Sequence, residues 1–303
     1  MSMNAVLVID KPAGFTSHDV VNRVRRILQQ KSVGHLGTLD PMATGVLVLV
    51  VGNLTRLAQF YNASEKCYEG VIRFGFATDT YDAEGEATTP AQAVQISPEQ
   101  LVEVAQKFTG VIEQMPPPFS AKKIGGVPAY KLARRKQEVT LKPAKVEVKE
   151  FEILQVEGDC ARFQVRVSSG TYLRSIAHDM GTSIGCGGHL ASLRRTVLGE
   201  FNVAEAHTLG DLEDAVKNQR LDEIFIHPRK LLPQFPCVTA DQEAVAYIYN
   251  GRAVNLPEFS QAPLVKVFAN QKDLIALAGR IAGTLFHPKI VFAAEKQPEP
   301  AVK

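Results

Sequence analysis

Asp40 is the only acidic residue in the stretch Gly34–Gly45, GHLGTLDPMATG, which also holds three glycines. An Asp before a Pro is a common turn starter. The same residue could also be a reactive group, because glycine lets backbone approach a ligand closely. Function concentrates on loops anchored to rigid elements, and VLVLVV follows as a buried-strand candidate. A solitary carboxylate restricts the chemistry. Glycoside hydrolysis ordinarily takes two, one for the leaving group and one as base or nucleophile. Asp79 or Asp82 in the turn TDTYDAEGE could supply a second, but no spacing argument selects either. One carboxylate suffices when the leaving group is already a good anion and water is not a reactant. Uracil leaving a ribose is such a case.

The elements that must position Asp40 are legible from periodicity. Ala5–Ile9 reads as a strand, and Thr16 with Asp19 opens a helix in capping-box fashion, with Val20, Val24, Ile27 and Leu28 on one stripe. Val46–Val51 reads as a strand. Tyr68, Gly70, Ile72, Phe74 and Phe76 alternate with Glu69 and Arg73 as a half-buried strand. Ser97-Pro98 starts a helix that Gly110 ends. Val146–Glu157 and Ala161–Ser168 read as neighbouring strands joined at Gly158-Asp159. SSGTYLRSIAHDM enters a helix on which Leu173, Ile176, Ala177 and Met180 share a face, with Arg174 and His178 pointing elsewhere. LLPQFPCVT reads as a proline-bearing linker. A helix near 241–250 and strands at 264–268, 274–278 and 285–292 follow it. Strands and helices do not alternate regularly, which predicts an α+β fold rather than a doubly wound sheet.

The chain has 303 residues, 45% hydrophobic and 22% charged, with a net charge of +2. That composition suits a globular protein of one large and one smaller domain. The even overall charge hides a local excess. Between Ala121 and Lys145 there are eight basic residues and one acid. This proline- and glycine-bearing segment, from Gln114 to about Lys145, reads as a protruding insert rather than core. Cys67, Cys160, Cys186 and Cys237 are far apart and form no C-x-x-C pair, so neither a zinc site nor a thiol redox motif is indicated. No apolar run reaches the ~18 residues of a membrane span. A reducing, cytoplasmic setting is the default expectation.

GHLGTLDPMATGVL closely resembles the catalytic motif of the TruB family of bacterial tRNA pseudouridine(55) synthases. DKPAGFTSHDVV, KCYEG, ATDTYDAEGE, MPPPFSAKKIGGVPAYKLAR, SSGTYLRSIAHDMG and GGHLASLRRT resemble the same family, in family order from about Lys11 to about Thr196. The resemblance implies a mixed-sheet pseudouridine synthase catalytic domain over residues 1–232, with the basic RNA-binding insert at about 114–145. A small PUA-like β-barrel would occupy 237–303.

The same resemblance implies roles. Asp40 would be the catalytic carboxylate, adding either to the sugar or to the base. Tyr68 would pack against the uracil and assist removal of the C5 proton. Tyr172 and Leu193 would line the base pocket, Arg174 would pair with Asp40, and His35 would contact RNA near the flipped nucleotide. Lys11 would support the pocket rather than act in the chemistry. Lys122, Lys123, Arg134 and Arg135 would hold phosphates, a contact that positions RNA without reading its sequence. The expected partner is the T-arm stem-loop of tRNA, bound by a monomer that needs no protein partner, membrane, metal, nucleotide or redox cofactor. Two other readings stand beside this one: an RNA-folding protein using the same surface, and a nucleoside or glycoside hydrolase.

Overall fold

The computed structural model describes residues 3–120, 122–124, 127–128 and 141–292, the side chains of 123–124 and 127–128 excepted. The chain begins with β1 (Ala5–Lys11) and α1 (Ser17–Leu28). The capping box forms: the Thr16 hydroxyl accepts from the Asp19 N–H, and the Asp19 carboxylate accepts from the Thr16 N–H. Then come β2 (Val33–His35), the Asp40 loop, β3 (Thr44–Val51), a short helix α2 (Ala58–Tyr61) and β4 (Lys66–Phe74). After the acidic turn follow α3 (Pro98–Lys107), β5 (Gly110–Gln114) and the short hairpin β6 (Lys123–Ile124) and β7 (Val127–Pro128). The long antiparallel pair β8 (Ala144–Glu157) and β9 (Cys160–Val167) leads to α4 (Leu173–Ile184). Next are β10 (Gly188–Leu198), β11 (Phe201–Asn202) and α5 (Leu209–Lys217).

These strands form one mixed sheet in the order β1-β3-β10-β4-β9-β8-β5, with β2 beside β3 and β11 beside β10. All of its pairings are antiparallel except β3 with β10. β1 occupies one edge of β3 along its whole length. The other edge is shared: β10 pairs at Thr44 and Gly45, and β2 pairs at Leu49, Val50 and Val51. The Asp40 loop therefore leaves the sheet in the fork where β2 and β10 part.

β3 is buried on both faces. Leu47, Leu49 and Val51 face a core shared with α1, α4 and α5, while Val46, Val48 and Val50 face a second core. Side chains alternate across a strand, so VLVLVV supplies both cores at once. The second core includes Phe268, Leu274, Leu277, Ile290 and Phe292 from the C-terminal unit. Burying each such side chain contributes about 1.5–3 kcal/mol.

That unit comprises β12 (Cys237–Thr239), α6 (Gln242–Tyr249), β13 (Val254–Asn255), β14 (Leu264–Phe268), β15 (Leu274–Ala282) and β16 (Leu285–Val291). Its sheet order is β12-β14-β15-β16-β13, a small PUA-like β unit as expected. Among the described residues no helix is long and apolar enough to cross a membrane.

The structure corrects two expectations and adds one strand. The insert does not begin at Gln114. Gln114, Pro116, Pro117 and Ser120 are buried, and Gln114 exchanges two hydrogen bonds with the Tyr172 backbone at 2.8 and 3.0 Å. Gln114–Ser120 thus packs against the start of α4. LLPQFPCVT is not a free linker, because Leu231 and Leu232 are buried in the second core and its end forms β12. β10 lies at the centre of the main sheet, although GGHLASLRRT shows no clean alternation. Register shifts beside β4 at Leu190/Ser192 and Arg195/Val197 break the period.

Candidate active site

The fork between β2 and β10 opens into a cleft of about 340 Å³. His35 at the end of β2, Asp40 on the loop, Tyr68 on β4, Leu193 on β10, and Tyr172 and Arg174 at the start of α4 all line it. The structure thus gathers six of the expected site residues around one space. Lys122 lies elsewhere, its Nζ donating to the Lys142 carbonyl at 3.1 Å. Lys123, Arg134 and Arg135 fall outside the residues whose side chains are described.

The Asp40 loop is held rigidly from three sides. Arg195, fully buried on β10, donates to the carbonyls of Val46, Thr38 and Gly37 at 2.8, 3.3 and 3.0 Å. Lys11, fully buried at the end of β1, donates to the carbonyls of Pro12 and Pro41 at 2.9 and 3.0 Å and of Phe15 at 2.6 Å. Ser17, at the start of α1, accepts from the Leu39 N–H at 2.9 Å. Buried carbonyls seldom go without a donor, and here buried cations supply it. Gly45 is required for a related reason. It lies at φ +94°, and a Cβ there would meet the Arg195 carbonyl at 2.2 Å. Its close approach is to β10 rather than to a ligand. Gly34 has neither a positive φ nor a crowded Cβ direction, its nearest contact being 3.7 Å.

Asp40 and Arg174 form a bidentate pair across 134 residues of sequence, Nε to Oδ2 at 2.9 Å and Nη2 to Oδ1 at 3.1 Å. The two partners differ in access. The Arg174 side chain is 5% exposed and that of Asp40 36%. The carboxylate therefore reaches the cleft while the guanidinium backs it from inside. Arg174 does not point away from the core, as its place on α4 suggested. Its remaining donors are also taken: Nη1 by the Thr80 carbonyl at 3.0 Å and Asp82 Oδ2 at 3.4 Å, Nη2 by the Phe119 carbonyl at 3.0 Å. A buried guanidinium is stable only when its donors are so matched.

Asp82 is the site residue that spacing did not select. Its side chain is 5% exposed and lies on the opposite edge of Arg174 from Asp40. It anchors the arginine and does not open into the cleft. A signal was available: a guanidinium carries five donors, more than one carboxylate can take, and TDTYDAEGE is rich in acceptors. Lys66, which the motifs did not single out, does line the cleft. Burial pulls its ammonium down to about 8, with the Arg195 charge acting in the same direction.

Burial also sets the proton affinities of the aromatic walls. It holds the His35 imidazole below its ordinary value, helped by Arg195, so a neutral ring faces the cleft near pH 7. It pushes the Tyr172 phenol up, keeping that hydroxyl protonated. Tyr68 is 7% exposed and Leu193 8%, and with the tyrosine rings they form an apolar wall around one carboxylate. Such a wall suits a flat, uncharged ring held against a reactive group in little water.

The chain is similar to known proteins in sequence and in fold. Residues 25–173 match the family model described as TruB family pseudouridylate synthase (N terminal domain), and residues 174–232 match the tRNA pseudouridylate synthase B C-terminal domain. The chain is 49% identical over 292 residues to the tRNA pseudouridine synthase B of Solibacter usitatus, covering 95% of this chain and all of that one. It is 37% identical to that of Aquifex aeolicus, over 95% of this chain and 99% of the other. A Cbf5-Nop10-Gar1 complex contains a chain with TM-score 0.70 at 26% identity, covering 95% of this chain and 85% of that one. By these family models and full-length relatives, the chain belongs to the TruB family of pseudouridylate synthases.

Proposed function

We propose that this protein isomerises uridine to pseudouridine in tRNA, at position 55 of the T arm, with Asp40 as the catalytic carboxylate. The observation that carries the reading is the Asp40–Arg174 pair, open to the cleft mainly through its carboxylate and walled by Tyr68, Tyr172 and Leu193. The tRNA specificity follows the names of the full-length relatives, and position 55 follows the family.

A uridine inside folded RNA reaches Asp40 only after flipping out, at a cost of a few kcal/mol. The glycosidic C1′–N1 bond then breaks, and uracil departs with the bonding pair. Arg174, held on its far side by Asp82, pairs with the Asp40 carboxylate and aims it. The detached ring turns within the apolar wall and C5 joins C1′. The C5 proton leaves and N1 gains one, so atoms and charge balance without water. Tyr68 lies where it can face the ring in this step. Exclusion of water by Tyr172 and Leu193 protects the intermediate from hydrolysis.

Residues 1–232 form the catalytic part in this reading and 237–303 an RNA-binding part, acting as a cytoplasmic monomer. The basic segment beyond Ser120 would hold T-arm phosphates through Lys122, Lys123, Arg134 and Arg135, with His35 contacting RNA at the cleft mouth. Unmodified tRNA carrying tritium at C5 of uridine tests the chemistry. Wild type releases tritium, and Asp40→Asn is slower by at least about a thousandfold, about 4 kcal/mol of barrier. No release by wild type leaves an RNA-folding protein, and free uracil with an abasic ribose marks a hydrolase. Replacing the four basic residues with glutamine lowers the slope of log affinity against log salt by roughly one for each phosphate no longer neutralised; an unchanged slope removes the insert from the interface.

A further inference from the structure

We infer that Tyr81 and His178 form a clamp that holds the acidic turn on Arg174, making both positioning residues for the Asp40–Arg174 pair. Tyr81 is one of the few non-glycine residues with positive φ, at +65°. That conformation is unfavourable for a bulky L-residue and persists only where surroundings impose it. Its consequence is geometric. Thr80 and Asp82, on either side of Tyr81, both turn inward, and the Thr80 carbonyl and Asp82 Oδ2 meet the same Nη1 of Arg174. The Tyr81 ring goes the other way and stacks on His178, centroids 3.8 Å apart and planes 12° from parallel.

His178 lies four residues after Arg174 on α4. Residues at i and i+4 share a helix face, so one face of α4 grips residues 80–82 at two points one turn apart. The turn's other hold is on backbone: the Leu190 N–H donates to the Tyr81 carbonyl and the Ala83 N–H to the Leu190 carbonyl, both at 3.0 Å. The contact uses the face of His178, not its polarity. Its buried Nδ1 has no hydrogen-bond partner among the described residues, and burial keeps the ring below its ordinary proton affinity. Neither side chain lines the cleft, so their influence passes through Asp82, Thr80 and Arg174. The inference rests on the reading of Asp40 as the catalytic group.

The test uses the full chain and four variants: His178→Ala, His178→Phe, Tyr81→Gly and Tyr81→Phe. Tyr81→Gly removes the ring while accepting the positive φ, so it isolates the stack from backbone strain. The first readout is single-turnover tritium release at saturating enzyme, with tRNA affinity measured separately. His178→Ala and Tyr81→Gly are expected to slow turnover about tenfold with affinity within twofold of wild type, and both phenylalanine variants to restore the rate. A slowing of less than threefold, a loss that phenylalanine does not rescue, or a loss carried by affinity overturns the clamp. The second readout is amide hydrogen exchange at Ala83 and Leu190, which speeds in His178→Ala and recovers in His178→Phe. Unchanged exchange in His178→Ala also overturns it. Asp40→Asn runs alongside: if it turns over like wild type, the reading of Asp40 fails, whereas the exchange result still decides the clamp.

Discussion

The loop that carries Asp40 and the turn that carries Asp82 meet at one guanidinium, yet they are held in contrasting ways. The first is fixed by side chains from elsewhere in the scaffold, Lys11, Ser17 and Arg195, which bond its backbone. The second is tied partly to itself, besides its bonds to Leu190 and Arg174. Thr78 and Thr80 donate to the Asp82 carbonyl and Oδ1 at 2.7 and 2.6 Å, the Glu84 N–H donates to Asp82 Oδ1 at 3.1 Å, and the Glu86 N–H donates to Asp79 at 2.9 Å. The Asp40 loop takes its shape from donors anchored outside it. The acidic turn reaches the cleft through Arg174, so its placement and that of the arginine depend on each other. A reactive carboxylate is thus mounted on a stiff support, and its countercharge is trimmed by a more independent one.

The sharpest break in that contrast is Arg195→Met. It leaves the carbonyls of Gly37, Thr38 and Val46 without their donor, at about 1–3 kcal/mol each, so urea unfolding is expected to show a loss of at least about 3 kcal/mol. A loss below about 1 kcal/mol would mean that the Asp40 loop is held from elsewhere. Asp82→Asn acts on the other support. The amide oxygen still accepts from Thr80 and Glu84, so the turn keeps its own bonds, while the charge behind Arg174 is gone and the amide nitrogen faces Nη1, which costs stability as well as activity. Turnover should fall about ten- to a hundredfold, 1.4–2.8 kcal/mol of barrier, and a wild-type rate would show that Asp40 alone orients the arginine.

The smallest effect is one of sign with pH. Burial holds His35, at the entry to the Asp40 loop, below its ordinary pKa. The unfolded chain then binds the proton more readily, so this residue's contribution is present above about pH 6.5 and is lost as pH falls below it. Burial, with Asp82 and Asp40 nearby, raises Glu84 in the acidic turn. The folded chain then binds the proton more readily, and the contribution is present below about pH 4.3 and lost as pH rises through the folded value. Thermal melts of His35→Gln and Glu84→Gln against wild type should differ with opposite slopes in these windows. Slopes of the same sign would refute the contrast.

Much of the frame was legible from residues close together in the chain. The Thr16–Asp19 box, the Ser97-Pro98 start and the alternation of Ala161, Phe163, Val165 and Val167 depend on residues a few positions apart, and each appears in the fold. β10 escaped because two irregularities break its period beside β4. Gln114–Ser120 escaped because prolines and a following run of lysines resemble a surface loop, although Arg174 and Ser175 need its carbonyls as acceptors. The cleft residues were named through their motifs, as no periodicity joins a strand tyrosine, a helix-start arginine and a loop aspartate.

The sequence by itself determined the strands, the caps and the types of residue available for chemistry, because propensity and periodicity act over a turn or a strand. Tertiary structure alone decided that Arg174 is buried, that Asp40 takes one edge of it and Asp82 the other, and that Lys11 and Arg195 spend their charges on loop carbonyls. The physical reason is range. A guanidinium buried away from water is satisfied only by acceptors from segments as distant as Asp40, 134 residues away, and the folded sheet, with its fork between β2 and β10, is what brings them within hydrogen-bonding distance.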